Sequence, residues 1–290
     1  VVIPYAPGGG ADTVGRILFG KLGELLGANF VIENRGGGAG TIGAAAAAQA
    51  APDGYTVLHD ATALSVNPAL FERLPYDTAK AFRPVFLAGR VPNLLLVHPE
   101  VPARSVADIV ALARAAGPGG LDFASSGNGT VQHMALEMFA REAGVRLNHV
   151  PYRGGGPALT DLIAGQVRFF FSNASASTGH ARAGRVRAVA HTGSKPIAAF
   201  PDLPAVTDTL PGFEAYEWNG VLVPAGVPEP IVRRLNEGLN AAIRDPAVAE
   251  RLAGLNVETA SNTPAEFAAF LEAETRRWGR LVREAGIKPD

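Results

Sequence analysis

Two glycine-rich runs hold the residues best placed to do chemistry. The first is Tyr5-Ala6-Pro7-Gly8-Gly9-Gly10-Ala11-Asp12; the second is Ser125-Ser126-Gly127-Asn128-Gly129-Thr130, with His133 one helical turn further on. Three glycines let backbone N–H groups approach a ligand and form a nest for an oxygen. The same first run also reads as a tight strand-to-helix turn with Asp12 as the helix cap. In the second run, hydroxyls, an Asn amide and free N–H groups suit a carboxylate. A nucleophile reading is weak there, because Phe123 and Ala124 occupy the leading positions of a Gly-x-Ser-x-Gly elbow. His133 reads as a packing or supporting residue before it reads as a base.

A third stretch makes a rival claim. Gly38-x-Gly40-x-x-Gly43 follows a strand-like run and opens a helical one, and Asp60 lies about 20 residues on, which is the spacing of a dinucleotide fingerprint. Glu33-Asn34-Arg35 and further glycines make the turn longer than that motif needs, and the first strand-to-helix turn lies earlier in the chain. The six histidines, His59, His98, His133, His149, His180 and His191, form no two-His helical pair, so no metal is expected. No cofactor is expected either.

The elements that must hold these runs alternate. Val1–Ile3 reads as a strand entering the first turn. Val14, Ile17, Leu18, Leu22, Leu25 and Leu26 then recur at helical spacing. Phe30–Ile32 and Tyr55–Leu58 read as strands around a small-residue helix at Thr41–Ala50. A second set begins near Pro99: a capping box at Ser105 and Asp108, strand Leu121–Ala124, the second turn, and a helix burying Val131, Met134, Ala135, Met138 and Phe139. Strands at Asn148–Val150, Val167–Phe171 and Arg187–His191 follow, with a helix at Ala158–Ala164. Tyr216–Val223 is strand-like, and helices close the chain at Glu229–Arg244 and Pro264–Ala285. This alternation predicts an α/β fold with mainly parallel sheets flanked by helices. In both glycine-rich runs a strand feeds a helix start, where unpaired N–H groups and the positive end of the macrodipole make an anion seat.

Composition removes several function classes. The chain has 290 residues, room for about two domains. A formal net charge of -1 and the lack of any Lys/Arg run argue against nucleic acid. Without cysteine there is no disulfide, thiolate metal site or Cys nucleophile. No stretch reaches the ~18 apolar residues of a membrane span, so no membrane insertion is expected. The sequence opens at Val1 inside an apolar stretch, which reads as a trimmed start with any secretion signal lost.

Taken in order, the motifs resemble one family. Pro4-Tyr5-Ala6-Pro7-Gly8-Gly9…Asp12, Glu33-Asn34-Arg35…Gly38-Ala39-Gly40-x-x-Gly43, Ala51-Pro52-Asp53-Gly54-Tyr55-Thr56, the Ser125–Thr130 run with His133, and His149-Val150-Pro151-Tyr152-Arg153-Gly154 all fit. So do Ala183-Gly184-Arg185-Val186-Arg187-Ala188, Phe200-Pro201-Asp202-Leu203-Pro204, Trp218 and Glu274…Trp278. Together they resemble the Bug family, the solute-binding receptors of tripartite tricarboxylate transporters, across essentially the whole chain.

The resemblance implies a two-lobed fold of the type II periplasmic-binding-protein kind, with a ligand cleft between lobes at 1–98 plus 217–290 and at 99–216. Hinges are expected near His98-Pro99 and Tyr216–Gly220. It implies a monomeric, non-enzymatic receptor in the periplasm of a Gram-negative bacterium. Its partners would be a small carboxylate and a membrane permease or sensor kinase. The implied ligand-binding residues are Tyr5, Ala6, Pro7, Gly8, Gly9 and Asp12 from one lobe, and Ser126, Gly127, Asn128, Gly129, Thr130, His133, Gly154, Ser172 and Asn173 from the other. Many members carry an Asp where this chain has Ser172-Asn173, and without that acid a ligand's buried ammonium would lack a counter-charge. A ligand without an amino group is therefore expected. Gly10-Ala11 also replaces a common Pro-Thr pair. An NAD(P)-dependent enzyme using Gly38–Gly43 and a protein-interaction module of a sensor system stay open as alternatives.

Overall fold

Short apolar runs alternating with amphipathic ones produce a sheet-and-helix chain that folds as two units. The computed structural model describes residues 1–289. Unit 1 comprises Val1–Arg90 and Trp218–Arg283, with Ile287–Pro289; unit 2 comprises Val91–Glu217, with Glu284–Gly286. The first passage between units thus falls at Arg90/Val91, upstream of the expected His98-Pro99, and the second at Glu217/Trp218. The first differs because one unbroken strand runs through it.

In chain order the elements are β1 (Val2–Ile3), α1 (Gly10–Leu26), β2 (Glu33–Asn34), α2 (Thr41–Ala48), β3 (Leu58–Ala61), α3 (Ala63–Leu70), α4 (Thr78–Ala81) and β4 (Phe82–Val97). Then follow α5 (Val106–Ala115), β5 (Leu121–Ser125), α6 (Val131–Ala143), β6 (Leu147–Pro151), α7 (Gly155–Ile163), β7 (Phe169–Asn173), α8 (Ala174–Arg182) and β8 (Arg187–His191). The chain ends with β9 (Tyr216–Pro224), α9 (Glu229–Arg244), α10 (Pro246–Gly254) and α11 (Pro264–Ala285).

In unit 1, β1 runs parallel to β2 and β3, and β3 runs antiparallel to β9, with Asp60 opposite Gly220. In unit 2, β5 runs parallel to β6 and β7, while β4 is antiparallel to β7 and β8. Parallel pairs are those joined through helices, as crossover connections require. The strand expected at Phe30–Ile32 forms instead at Glu33–Asn34, because β1 is only two residues long and its partners are Glu33 and Asn34. The strand expected at Tyr55–Leu58 starts at Leu58, and Tyr55 itself is exposed.

Each unit has its own aromatic core. In unit 1, Trp218 meets Phe267 edge-on, ring centres 5.9 Å apart and planes at 72°. A Cβ at Gly220 would stand 2.2 Å from the Phe267 ring, so only glycine lets α11 settle on β9. In unit 2, Phe123 stacks on Phe169 at 4.9 Å, and Phe171 stacks on Phe213 at 6.0 Å. The Phe169–Phe171 run is thus buried strand. Aromatic pairs of this geometry contribute about 1 kcal/mol each beyond their burial. The capping box on α5 forms as expected: Asp108 N–H donates to Ser105 Oγ at 3.1 Å, and Ser105 N–H donates to Asp108 Oδ2 at 2.9 Å.

Candidate functional site

Turn 1 lies between β1 and α1. The helix starts at Gly10 with Gly9 as its N-cap, so Asp12 is not the cap but the third helical residue. Its buried carboxylate reaches back to accept the Gly8 N–H at 2.9 Å. Arg16 Nε donates to the same oxygen at 2.9 Å, and Asn34 Nδ2 donates to the other at 2.9 Å. Burial works to raise the Asp12 carboxyl; the bonds from Arg16, Gly8 and Asn34 outweigh it and hold it below the usual range. Asp12 is therefore occupied in shaping the turn, and both its oxygens are spoken for. The local cap signal misled because two of its three donors, Arg16 and Asn34, come from outside the turn.

Asn34 also donates to the Tyr5 carbonyl at 3.0 Å, so β2 braces turn 1 directly. A Cβ at Gly43 would lie 2.7 Å from the Pro4 side chain and 2.8 Å from the Arg35 carbonyl, so this glycine serves close packing of α2 on the segment entering the turn. The formal Gly38–Gly43 fingerprint acts here as a buttress. Ala6–Gly9 are exposed above it. Beneath, Tyr5 OH donates to Asp60 Oδ1 at 2.8 Å. Asp60 is 1% exposed, and burial pushes it up to about 7 despite the bonds from Ala61 N–H and Tyr5. Its neighbour His59, also fully buried, is pushed down to about 4 by the same loss of water and stays neutral.

Turn 2 lies between β5 and α6. Gly127 and Gly129 take φ of +121° and +73°, which side-chain-bearing residues rarely adopt. Thr130 caps α6: its hydroxyl donates to the Gly127 carbonyl at 2.7 Å and accepts the His133 N–H at 3.4 Å. His133 Nδ1 accepts the Gly129 N–H at 3.3 Å. Its ring stacks on His149 with centres 3.8 Å apart and planes at 12°. His133 is thus a prop under the turn. Ser125 Oγ sits 2.6 Å from His149 Nε2, the spacing of a nucleophile and its base, but Ser125 is fully buried and also accepts the Gly127 N–H at 3.0 Å. No substrate can reach that hydroxyl.

The loop after β6 closes against turn 2. Gly154 N–H donates to the Ser126 carbonyl at 3.1 Å, and Tyr152 N–H to the Ser125 carbonyl at 3.1 Å. A Cβ on Gly155 would lie 3.2 Å from Ser126 Oγ, so the uncapped start of α7 abuts Ser126 as α6 begins beside it. Two helix N-termini therefore flank one short segment. Ser126 Oγ and the Asn128 amide, both half-buried, form no hydrogen bond within the described residues. An unpaired hydroxyl and amide beside two helix starts favour an anion, and charge-assisted bonds to it are stronger than neutral ones.

Ser172 and Asn173 end β7. Ser172 is 2% exposed. Asn173 caps α8, its Oδ1 accepting the Ser175 N–H at 3.0 Å. That leaves the amide nitrogen for Glu217, whose carboxylate bonds Asn173 and accepts from Gln132 Nε2 at 3.3 Å. Burial pushes Glu217 up, and those two amides partly offset it. Gln132 also donates to Asn93 Oδ1 at 3.0 Å. Glu217 is absent from the sequence-derived set, yet a signal existed: it is a lone acid inside the apolar run Tyr216–Val223. The expectation of a ligand without an amino group rested on the lack of an acid at Ser172-Asn173; Glu217 is an acid hydrogen-bonded to Asn173 from another strand.

Residues 14–287 match the model of the tripartite tricarboxylate transporter family receptor, TctC. The chain belongs to that family. The UPF0065 protein in the tcbD-tcbE intergenic region of a Pseudomonas species is 39% identical over 98% of this chain and 84% of its own length. Protein BugT of Bordetella pertussis is 34% identical over 99% and 89%. An R. palustris protein solved with adipate superposes with a TM-score of 0.93 at 34% identity, covering 100% of this chain and 98% of that one. MatC from Rhodopseudomonas palustris, solved with bound malate, gives 0.88 at 32%, covering 97% of each. The fold of this TctC receptor is thus the two-lobed α/β class of periplasmic binding proteins. Turn 1 lies on the first strand-to-helix junction of unit 1, and turn 2 on the β5–α6 junction of unit 2.

Proposed function

We propose that this chain is a periplasmic receptor that captures a small organic carboxylate for uptake through a membrane permease or for sensing. The observation that carries the reading is turn 2, where the starts of α6 and α7 flank Ser126 and Asn128, whose side-chain polar groups have no partner among the described residues. The adipate and malate held by its structural neighbours support the same ligand class. Ala6–Gly9 of turn 1, Ser126–Gly129 and the Gly154 segment would contact the anion, with Tyr5, Thr130 and His133 shaping the walls. Units 1 and 2 would act as the two lobes, and a ligand binding the closed form better than the open one would drive closure. No residue is asked to act as acid, base or nucleophile. Among the described residues no helix is long and apolar enough to cross a membrane.

A thermal-shift screen tests this. Four- to six-carbon dicarboxylates, aromatic acids, amino acids and nucleotides are added to the protein in turn. An acid at 100 times its dissociation constant should stabilise by about 2.7 kcal/mol, a shift of several degrees. Stabilisation by NAD or NADP with none by any carboxylate would sink the reading.

A further inference from the structure

Glu217 joins two of the elements that build the candidate site. Gln132, the second residue of α6, lies two positions after the Thr130 cap of turn 2 and donates to Glu217. Asn173, the cap of α8, donates to it as well. Both donors are neutral amides, and both are held. Gln132 is 2% exposed and tied to the buried Asn93, which in turn donates to the Ala215 carbonyl at 3.2 Å. Asn173 is committed at its oxygen to the start of α8.

Among the described residues no Lys, Arg or His pairs with Glu217. Glu217 is desolvated by burial, while part of the residue remains at the surface. An ionised carboxylate offers about four acceptor positions, and two amides leave some of them open. A buried carboxylate without a cation gains most from a donor arriving from outside, and most of all from a charged one.

Given the receptor reading, on which this rests, we infer that Glu217 sets the ligand class: the preferred carboxylate carries a hydrogen-bond donor, an ammonium or a hydroxyl, at the end that meets Glu217. The ligand's acid group lies on turn 2, and the helical start of α6 places Gln132, and through it Glu217, at a fixed offset from that seat. A plain acid leaves Glu217 with its two amide donors alone. A second carboxylate at that end meets like charge.

The test compares matched sets, each a plain acid with its 2-hydroxy and 2-amino derivatives, in four-carbon, six-carbon and aromatic series, by calorimetry on the full chain. Glu217→Gln keeps the shape and removes the charge, and its melting temperature checks that it folds. The native protein should favour a donor-bearing member over its plain parent by about tenfold or more, the scale of a hydrogen bond to a charged group. The hydroxyl and ammonium arms tell which donor it is. Glu217→Gln should bring the ratio close to one while the plain acid still binds. Adding Asn173→Asp to that variant returns an acid to the neighbouring position and should restore part of the preference. An unchanged ratio in Glu217→Gln overturns the inference while the receptor reading stands. Binding of no acid by the folded native protein overturns both.

Discussion

Turns 1 and 2 answer the same local problem, a strand handing over to a helix, by opposite means. Turn 1 is braced by charge: Asp12 gathers Gly8, Arg16 and Asn34, and buried Asp60 lies under Tyr5. Turn 2 is braced without a carboxylate bonded to its backbone: by Thr130, His133 stacked on His149, and the hydroxyl of Ser125. A carboxylate under a nest competes with any anion above it unless a cation balances it, as Arg16 does for Asp12. A prop without a carboxylate engages the Gly127 and Gly129 N–H groups but sets no negative charge against the helix dipole. On the receptor reading turn 2 would therefore be the stronger anion seat, while turn 1 depends more on its internal ion pair.

The largest effect expected from this contrast is on stability in unit 1. Asp12→Ala leaves the Gly8 N–H, Arg16 and Asn34 without their acceptor and should cost about 3 kcal/mol, read as a fall in the denaturation midpoint. A loss below ~0.5 kcal/mol would break the claim that charge holds turn 1.

Asp60→Asn should act with the opposite sign and with a pH signature. Above pH 7 the carboxyl is charged in folded and unfolded chains alike, and its burial is at full cost. As pH falls below about 7 the folded chain takes up a proton that the unfolded chain does not bind until near its ordinary 3.8, so the cost fades. Asparagine keeps an acceptor for Tyr5 and Ala61. The variant should melt several degrees higher than the native protein at pH 8 and about level with it near pH 4. An equal gain at both pH values would rule out ionisation as the cause.

At turn 2 the backbone is the sensitive part. Gly127→Ala forces a side chain to φ +121° and brings Cβ to 3.0 Å from the Tyr152 carbonyl, a strain of about 2 kcal/mol. It should weaken carboxylate binding more than it lowers the melting point, since the turn can relax away from the seat. The smallest effect belongs to Ser126→Ala, which removes one donor from the ligand and nothing from the fold. It should cost roughly 1 kcal/mol of affinity, about fivefold, at unchanged melting temperature.

Both turns were visible in the residues themselves, because glycine clusters before a helical period admit few alternatives, and the buried Phe169–Phe171 strand followed from composition alone. Three things were not visible, each for a physical reason. Strand β4 carries Pro84 and Pro92, which break any period a strand would show and hid its continuity past Arg90. Asp12 looked like a cap because local spacing cannot reveal that Asn34, 22 residues on, would claim one of its oxygens. Glu217 draws its partners from α6 and the end of β7, segments that only tertiary folding brings together.

The first turn of α6 presents Thr130, Gln132 and His133 almost consecutively, and the three serve different ends. Thr130 closes turn 2, Gln132 reaches Glu217, and His133 supports Gly129. Successive helical residues point about 100° apart, so one residue added to or removed from this turn would swing all three away from their partners at once. On the receptor reading, ligand range could drift by exchange of side chains such as Ser126, Asn128 or Glu217, while loop length at this junction is locked.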